Sequence, residues 1–148
     1  MDRLKIIIAE DEDTLSSIYE RILKSLLDQI PGSSAIVVRN LSDVIDLVRQ
    51  VPPFDICILD LTLKDADYQR TEGELSTIER YCPVLVVTGK PSPALAEKIP
   101  HLLFKQEDMA AKLPNAMAVC IEDWHMRKHS EQLERVGRLK NYAAPKRN

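Results

Sequence analysis

Five short runs of Ile, Val and Leu constrain this chain more than any other feature of it. They fall at 4–9, 35–38, 54–59, 84–87 and 101–104. None alternates apolar with polar residues, as a strand wet on one side would. Strands apolar on both faces belong in a parallel sheet covered by helices on each side. Longer stretches with helical spacing separate the runs. Residues 14–27 carry Leu15, Ile18, Ile22 and Leu26 on one stripe, with Asp11 or Asp13 as the cap. Pro31-Gly32 then turns the chain. Residues 41–51 form a second helix, entered through Asn40 or Ser42 and stopped by Pro52-Pro53. A polar loop over 62–71 precedes a helix at 72–81, with Leu75 and Ile78 on its apolar side. Pro91, Pro93 and Pro100 limit the next helix to about two turns. The alternation predicts an α/β fold: a doubly wound, five-stranded parallel sheet in the order 2-1-3-4-5, with helices on both faces.

The last helix is expected over 114–136. Leu113, Met117, Cys120, Ile121 and Trp124 form its stripe, Leu133 and Val136 continue it, and Gly137 stops it. At 1.5 Å per residue it is roughly 34 Å long, more than a small sheet covers. A single domain is therefore expected over 1–136, followed by a basic, flexible tail at 137–148 and no output domain.

Bulk properties narrow the function. The 148 residues suit one domain, and 45% hydrophobic with 29% charged residues describes an ordinary globular chain. A net charge of −3 argues against binding nucleic acid by overall charge. The three cysteines, Cys57, Cys82 and Cys120, lie far apart without CxxC spacing, so neither a disulfide framework nor a zinc site is indicated. The apolar run at 6–9 is too short for a signal peptide. No stretch approaches the roughly 18 to 20 apolar residues that span a bilayer. A cytoplasmic protein that does not enter membranes is the expectation.

In doubly wound sheets the functional site lies at the carboxyl ends of the strands. Here those ends carry Glu10-Asp11 after the first strand, Asp60 after the third, Thr88 after the fourth and Lys105 after the fifth. Carboxylates gathered in one pocket repel, and a hard divalent cation relieves the repulsion. Mg²⁺ takes oxygen ligands, few carboxylates and several waters, which phosphate oxygens can replace. The lysine adds a fixed positive charge and the threonine a hydroxyl donor. A carboxylate so placed can attack phosphorus and form an acyl phosphate.

From about residue 5 to the helix around Trp124, the chain resembles the receiver domains of two-component response regulators. The resemblance rests on Glu10-Asp11 after IIIA, Asp60 after DICIL, Thr88 after LVV and Lys105 after HLLF. It implies that Asp60 is the phosphoacceptor. It implies that Glu10, Asp11, Asp60 and the backbone carbonyl of Thr62 hold Mg²⁺. Thr88 would be the switch hydroxyl and Lys105 the phosphate-pairing lysine. A histidine kinase or phosphotransfer protein would donate the phosphoryl group. The chain would modify itself, turn over no free substrate as an enzyme, and signal to a downstream protein. A homodimer through the last helix or the strand 5 face also fits.

Several positions depart from the family pattern. Lys64 stands where a proline is common, Gln106 follows the lysine where a proline is usual, and Leu102 occupies the place of an aromatic switch residue. The loop after the third strand is expected to be longer than usual, and Lys90 follows Thr88 by two residues. These departures motivate a rival, a receiver-like binding module that acts without phosphorylation. A phosphatase would need a second acid, such as Asp65 or Asp67 folded back toward Asp60. Flavin binding is disfavoured because the strand-end loops are acidic rather than rich in Gly, Ser and Thr.

Overall fold

The computed structural model describes residues 3–89, 93–105 and 108–143. Lys90, Gln106 and residues 144–148 of the expected tail lie outside the described residues. The elements run β1 (Lys5–Ala9), α1 (Asp13–Gln29), β2 (Ser34–Val38), α2 (Leu41–Val48), β3 (Ile56–Asp60), α3 (Tyr68–Glu79), β4 (Val84–Thr88), α4 (Pro93–Lys98), β5 (Leu102–Phe104) and α5 (Met109–Ala143). The five strands form one sheet in the order β2-β1-β3-β4-β5. Every neighbouring pair is parallel. This is the expected doubly wound fold.

Side chains on successive strand residues point to opposite faces, and each face builds its own core. Ile7, Ala9, Cys57, Leu59, Val84 and Val86 meet α2, α3 and α4 through Leu41, Val44, Val48, Ile78 and Leu95. Ile6, Ile8, Ile56, Ile58, Leu85, Val87 and Leu103 meet α1 and α5 through Tyr19, Leu23, Leu113, Met117 and Cys120. The central strands β3 and β4 are buried along their whole length, as their unbroken apolar sequence requires. All three cysteines are free and buried, so they act as small core residues.

Four local expectations change. Among the described side chains of α1, Tyr19 and Leu23 are buried, the expected Ile22 and Leu26 pack partly buried against the same core, and Ile18 is 40% exposed; the Leu15 side chain lies outside the described residues. The core-facing stripe therefore runs through Tyr19 and Leu23 beside Ile22 and Leu26, and Ile18 lies off it. Neither Asp11 nor Asp13 caps α1; Glu12 occupies that position without a side-chain hydrogen bond. The second helix stops at Val48, not residue 51. Helix α3 starts at Tyr68 rather than residue 72, because the Asp67 side chain accepts the Arg70 N–H at 2.8 Å. The loop after β3 therefore spans only residues 61–67 and is not extended.

Helix α5 also differs. It begins at Met109, carries Pro114 inside and passes through Gly137 to Ala143. Thirty-five residues make about 52 Å of helix. Leu113, Met117, Cys120 and Ile121 are buried as expected, but Leu133 and Val136 are exposed. They do not continue the core stripe, because 3.6 residues per turn places them on the opposite side of the helix. No described helix is long and apolar enough to cross a membrane.

Two measurements check this packing. Ile58→Ala removes a fully buried side chain from β3 and should cost about 2–5 kcal/mol in urea unfolding. At Gly137 an added Cβ meets nothing within 4 Å. Gly137→Ala should therefore raise the far-UV helical signal, because alanine favours the helix over glycine by up to about 1 kcal/mol. It should leave the urea midpoint of the domain unchanged.

Candidate functional site

The carboxyl ends of β1, β3, β4 and β5 bring the scattered strand-end residues together. The β1–β2 ladder extends one residue beyond the strand, with the Glu10 N–H donating to the Val38 carbonyl at 3.0 Å. That bond sets Glu10 at the mouth of the sheet. Asp60 is the last residue of β3, and Thr88 the last of β4. The Lys105 N–H donates to the Thr88 carbonyl at 2.9 Å, which fixes where the lysine leaves β5.

The side chains converge. Oxygen atoms of Glu10, Asp11 and Asp60 lie within 4.8 Å of one another. Glu10 and Asp60 are almost wholly buried, at 1% and 3% exposure, while Asp11 is half-buried. Lys105 reaches between them. Its Nζ donates to Asp60 Oδ2 at 2.9 Å and lies 3.1 Å from Glu10 Oε2. Thr88 is buried at the end of β4. Of the residues expected from the sequence, Glu10, Asp11, Asp60 and Lys105 thus form one cluster, with Thr88 at the adjoining strand end.

Electrostatics follow from the crowding. Burial, reinforced by the Asp60 charge, pushes the Glu10 carboxyl up to about 7, although Lys105 opposes the shift. Burial disfavours the Lys105 charge, but the hydrogen bond and charge of Asp60, with help from Glu10, more than offset it and raise the lysine above its ordinary value. One lysine cannot neutralise three carboxylates. Glu10 Oε2 is buried and makes no aligned hydrogen bond, despite its ionic contact with Lys105. A buried, under-satisfied oxygen beside two further carboxylates suits a hard cation such as Mg²⁺.

One expected residue has a further role, and one contributor was not expected from the sequence. Thr62 was expected only through its carbonyl. In the structure its N–H and its hydroxyl both donate to Asp60 Oδ1, each at 3.0 Å. The signal was present in Asp60-Leu61-Thr62, since an aspartate commonly bonds the backbone two residues on. Tyr19 on α1 is buried close enough to sense the site. Burial, then the charges of Glu10 and Asp60, hold its hydroxyl above the ordinary tyrosine value. Asp65 and Asp67, weighed as general acids, are both engaged elsewhere. Asp65 accepts bonds from the first residues of α2, and Asp67 caps α3.

The raised Glu10 value has a sign that can be checked. Folded Glu10 holds its proton more tightly than the unfolded chain, so its stabilising contribution is full below pH about 4.5 and is lost as pH rises through about 7. Without divalent cations, Glu10→Gln should gain Tm over wild type between about pH 5 and about pH 8, by about 4 °C or more. A difference independent of pH would contradict the assignment.

No protein-family model and no curated protein matches the chain. Solved structures do. The signal receiver domain of an HD domain-containing protein from Pseudomonas fluorescens Pf-5 superposes with a TM-score of 0.67 at 18% identity, covering 84% of this chain and 98% of that one. A response regulator receiver protein from Sinorhizobium medicae WSM419 gives 0.65 at 18% identity, covering 82% and 97%. The beryllofluoride-activated NtrC4 receiver domain dimer gives 0.65 at 18% identity, covering 84% and 99%. Strand order, helix placement and these superpositions agree: the chain has the fold of the response-regulator receiver domains.

Proposed function

We propose that this chain is a phosphoacceptor receiver, modified on Asp60 and signalling through protein contacts. The observation that carries the reading is the Lys105–Asp60–Glu10 contact set at the carboxyl edge of the sheet, with Asp11 beside it. The donor would be a histidine kinase or a phosphotransfer protein. The chain would catalyse its own modification and turn over no free substrate. A receiver neighbour described as beryllofluoride-activated supports this reading of the site.

The chemistry follows from the residues. The Asp60 carboxylate attacks phosphorus, a new P–O bond forms, and the bond to the donor's leaving atom breaks with its electron pair departing on that atom. Thr62 and Lys105 hold the Asp60 carboxylate from both oxygens, so it meets the donor in one orientation. Lys105 neutralises charge that spreads onto the phosphoryl oxygens, and the Thr88 hydroxyl donates to one of them. Glu10, Asp11, Asp60 and the Thr62 carbonyl would hold Mg²⁺, which supplies charge neutralisation for the acidic pocket and the incoming phosphoryl group.

The output surface is altered relative to the family pattern. Leu102 opens β5 without a hydroxyl, so an aromatic switch coupled to Thr88 cannot operate there. The exposed side of α5 offers a second surface, on which Val119, Met126 and Leu133 recur at seven-residue intervals. A second copy could pair along that exposed stripe. A second reading, a module that works unmodified, draws on Asp60 already having both oxygens satisfied by Thr62 and Lys105.

Intact mass after incubation with acetyl phosphate separates the two. Wild type should gain one phosphoryl group only with Mg²⁺, and Asp60→Asn should gain none. Lys105→Ala should slow the gain by about tenfold or more. Asp11→Asn should weaken Mg²⁺ binding by about tenfold or more in titration calorimetry. No gain in wild type, together with no Mg²⁺ binding, would favour the unmodified module.

A further inference from the structure

Residues 61–67 leave the proposed phosphoacceptor and cross to α2 before α3 begins. They are tied down along their length. Thr62 donates twice to Asp60 Oδ1. Leu63 and Ala66 are buried, and the Ala66 N–H donates to the Leu63 carbonyl at 3.2 Å. Arg70 Nη1 donates to the Asp65 carbonyl at 3.1 Å. The Asp65 carboxylate then bridges to another element. Its Oδ1 accepts the Leu41 N–H at 2.7 Å, and its Oδ2 accepts the Ser42 N–H at 3.1 Å and the Ser42 hydroxyl at 3.2 Å.

Leu41 and Ser42 are the first two residues of α2, and that helix already has a local cap. The Asn40 side chain accepts the Asp43 N–H at 2.9 Å. A helix start is ordinarily served by its own N-cap residue. Here a carboxylate 24 residues away in sequence takes the remaining N–H groups as well. The positive end of α2 favours that anion. Burial is the largest single influence and works against its charge, but the bonds from Leu41 and Ser42 together outweigh it and keep the Asp65 carboxyl below its ordinary value. The constraint this adds falls on the loop, because the helix is already capped.

We propose that Asp65 is a positioning residue for the site: by clamping the β3–α3 loop to the N-terminus of α2, it holds Thr62 against Asp60. The proposal rests on the reading of Asp60 and its metal ligands given above. With the clamp in place, both Thr62 donors and its carbonyl stay registered to Asp60. Displacement by about 1 Å is enough to cost a positioned site heavily in rate. Asp65 touches no reacting atom; it acts through Thr62.

The test compares wild type, Asp65→Ala, Asp65→Asn and Asn40→Ala in the full chain. Mg²⁺ affinity is read by titration calorimetry, and the rate of modification by acetyl phosphate is read by intact mass. Asp65→Ala should weaken Mg²⁺ at least about threefold and slow modification at saturating Mg²⁺ at least about tenfold. Asp65→Asn, whose amide oxygen still accepts one N–H, should recover part of both and guards against a misfolded alanine variant. Asn40→Ala loosens the same helix end but leaves the loop tied, so both readouts should stay within about twofold of wild type. Wild-type behaviour in Asp65→Ala, or equal losses in Asn40→Ala, would overturn the clamp. If wild type binds Mg²⁺ but takes up no phosphoryl group from acetyl phosphate, the Mg²⁺ comparison alone decides the clamp. A wild type that binds no Mg²⁺ overturns both.

Discussion

Three carboxylates and one lysine share a pocket that the fold largely closes to water, and the rest of the molecule accommodates that arrangement. Glu10 and Asp60 are buried, so neither is screened by solvent. Lys105 contacts both and cannot balance the charge alone. A core designed for stability alone would place apolar side chains here, since a buried ion cluster is often neutral or unfavourable against a hydrophobic replacement. The retained acidity therefore marks a site with a job beyond folding. It leaves a deficit of positive charge at the one sheet edge where strand-end residues can be recombined without disturbing the core.

The sheet makes this tolerable. β3 and β4 are buried on both faces, and each face packs on its own set of helices. The strands that present Asp60 and Thr88 are thus the most heavily supported parts of the chain. The residues that follow them are free to be polar because the strands need nothing from them. The loop after β3 is an exception, since Leu63 and Ala66 are buried and Asp65 binds α2. It behaves as part of the scaffold rather than as a flexible connection.

Much of this was legible in the sequence, for a physical reason. A parallel sheet buries both faces, so its strands read as continuous apolar runs, and the residue that ends each run marks the sheet edge. Glu10, Asp11, Asp60, Thr88 and Lys105 could be found that way. What escaped depended on side-chain hydrogen bonds or helix phase, which composition does not display. Helix α3 starts early because the Asp67 side chain caps it, a bond that the spacing of apolar residues does not display. Tyr19 replaces an aliphatic residue in the core of α1. Leu133 and Val136 extend a stripe in spacing but not in phase, so the helix carries them away from the domain. Asp65 reads as an ordinary loop acid, and only the three-dimensional path of residues 61–67 shows which helix it serves.

In the proposed function, a carboxylate, that of Asp60, forms the covalent bond to phosphorus. Borohydride reduces an acyl phosphate to the alcohol and leaves free carboxylates intact, so it records the modified residue permanently. Treatment of the Mg²⁺- and acetyl phosphate-incubated protein, followed by peptide mass mapping, should place homoserine at position 60 and nowhere else. Homoserine or its glutamate-derived counterpart at another position, or an unreduced Asp60 in protein that has gained a phosphoryl group, would contradict the account.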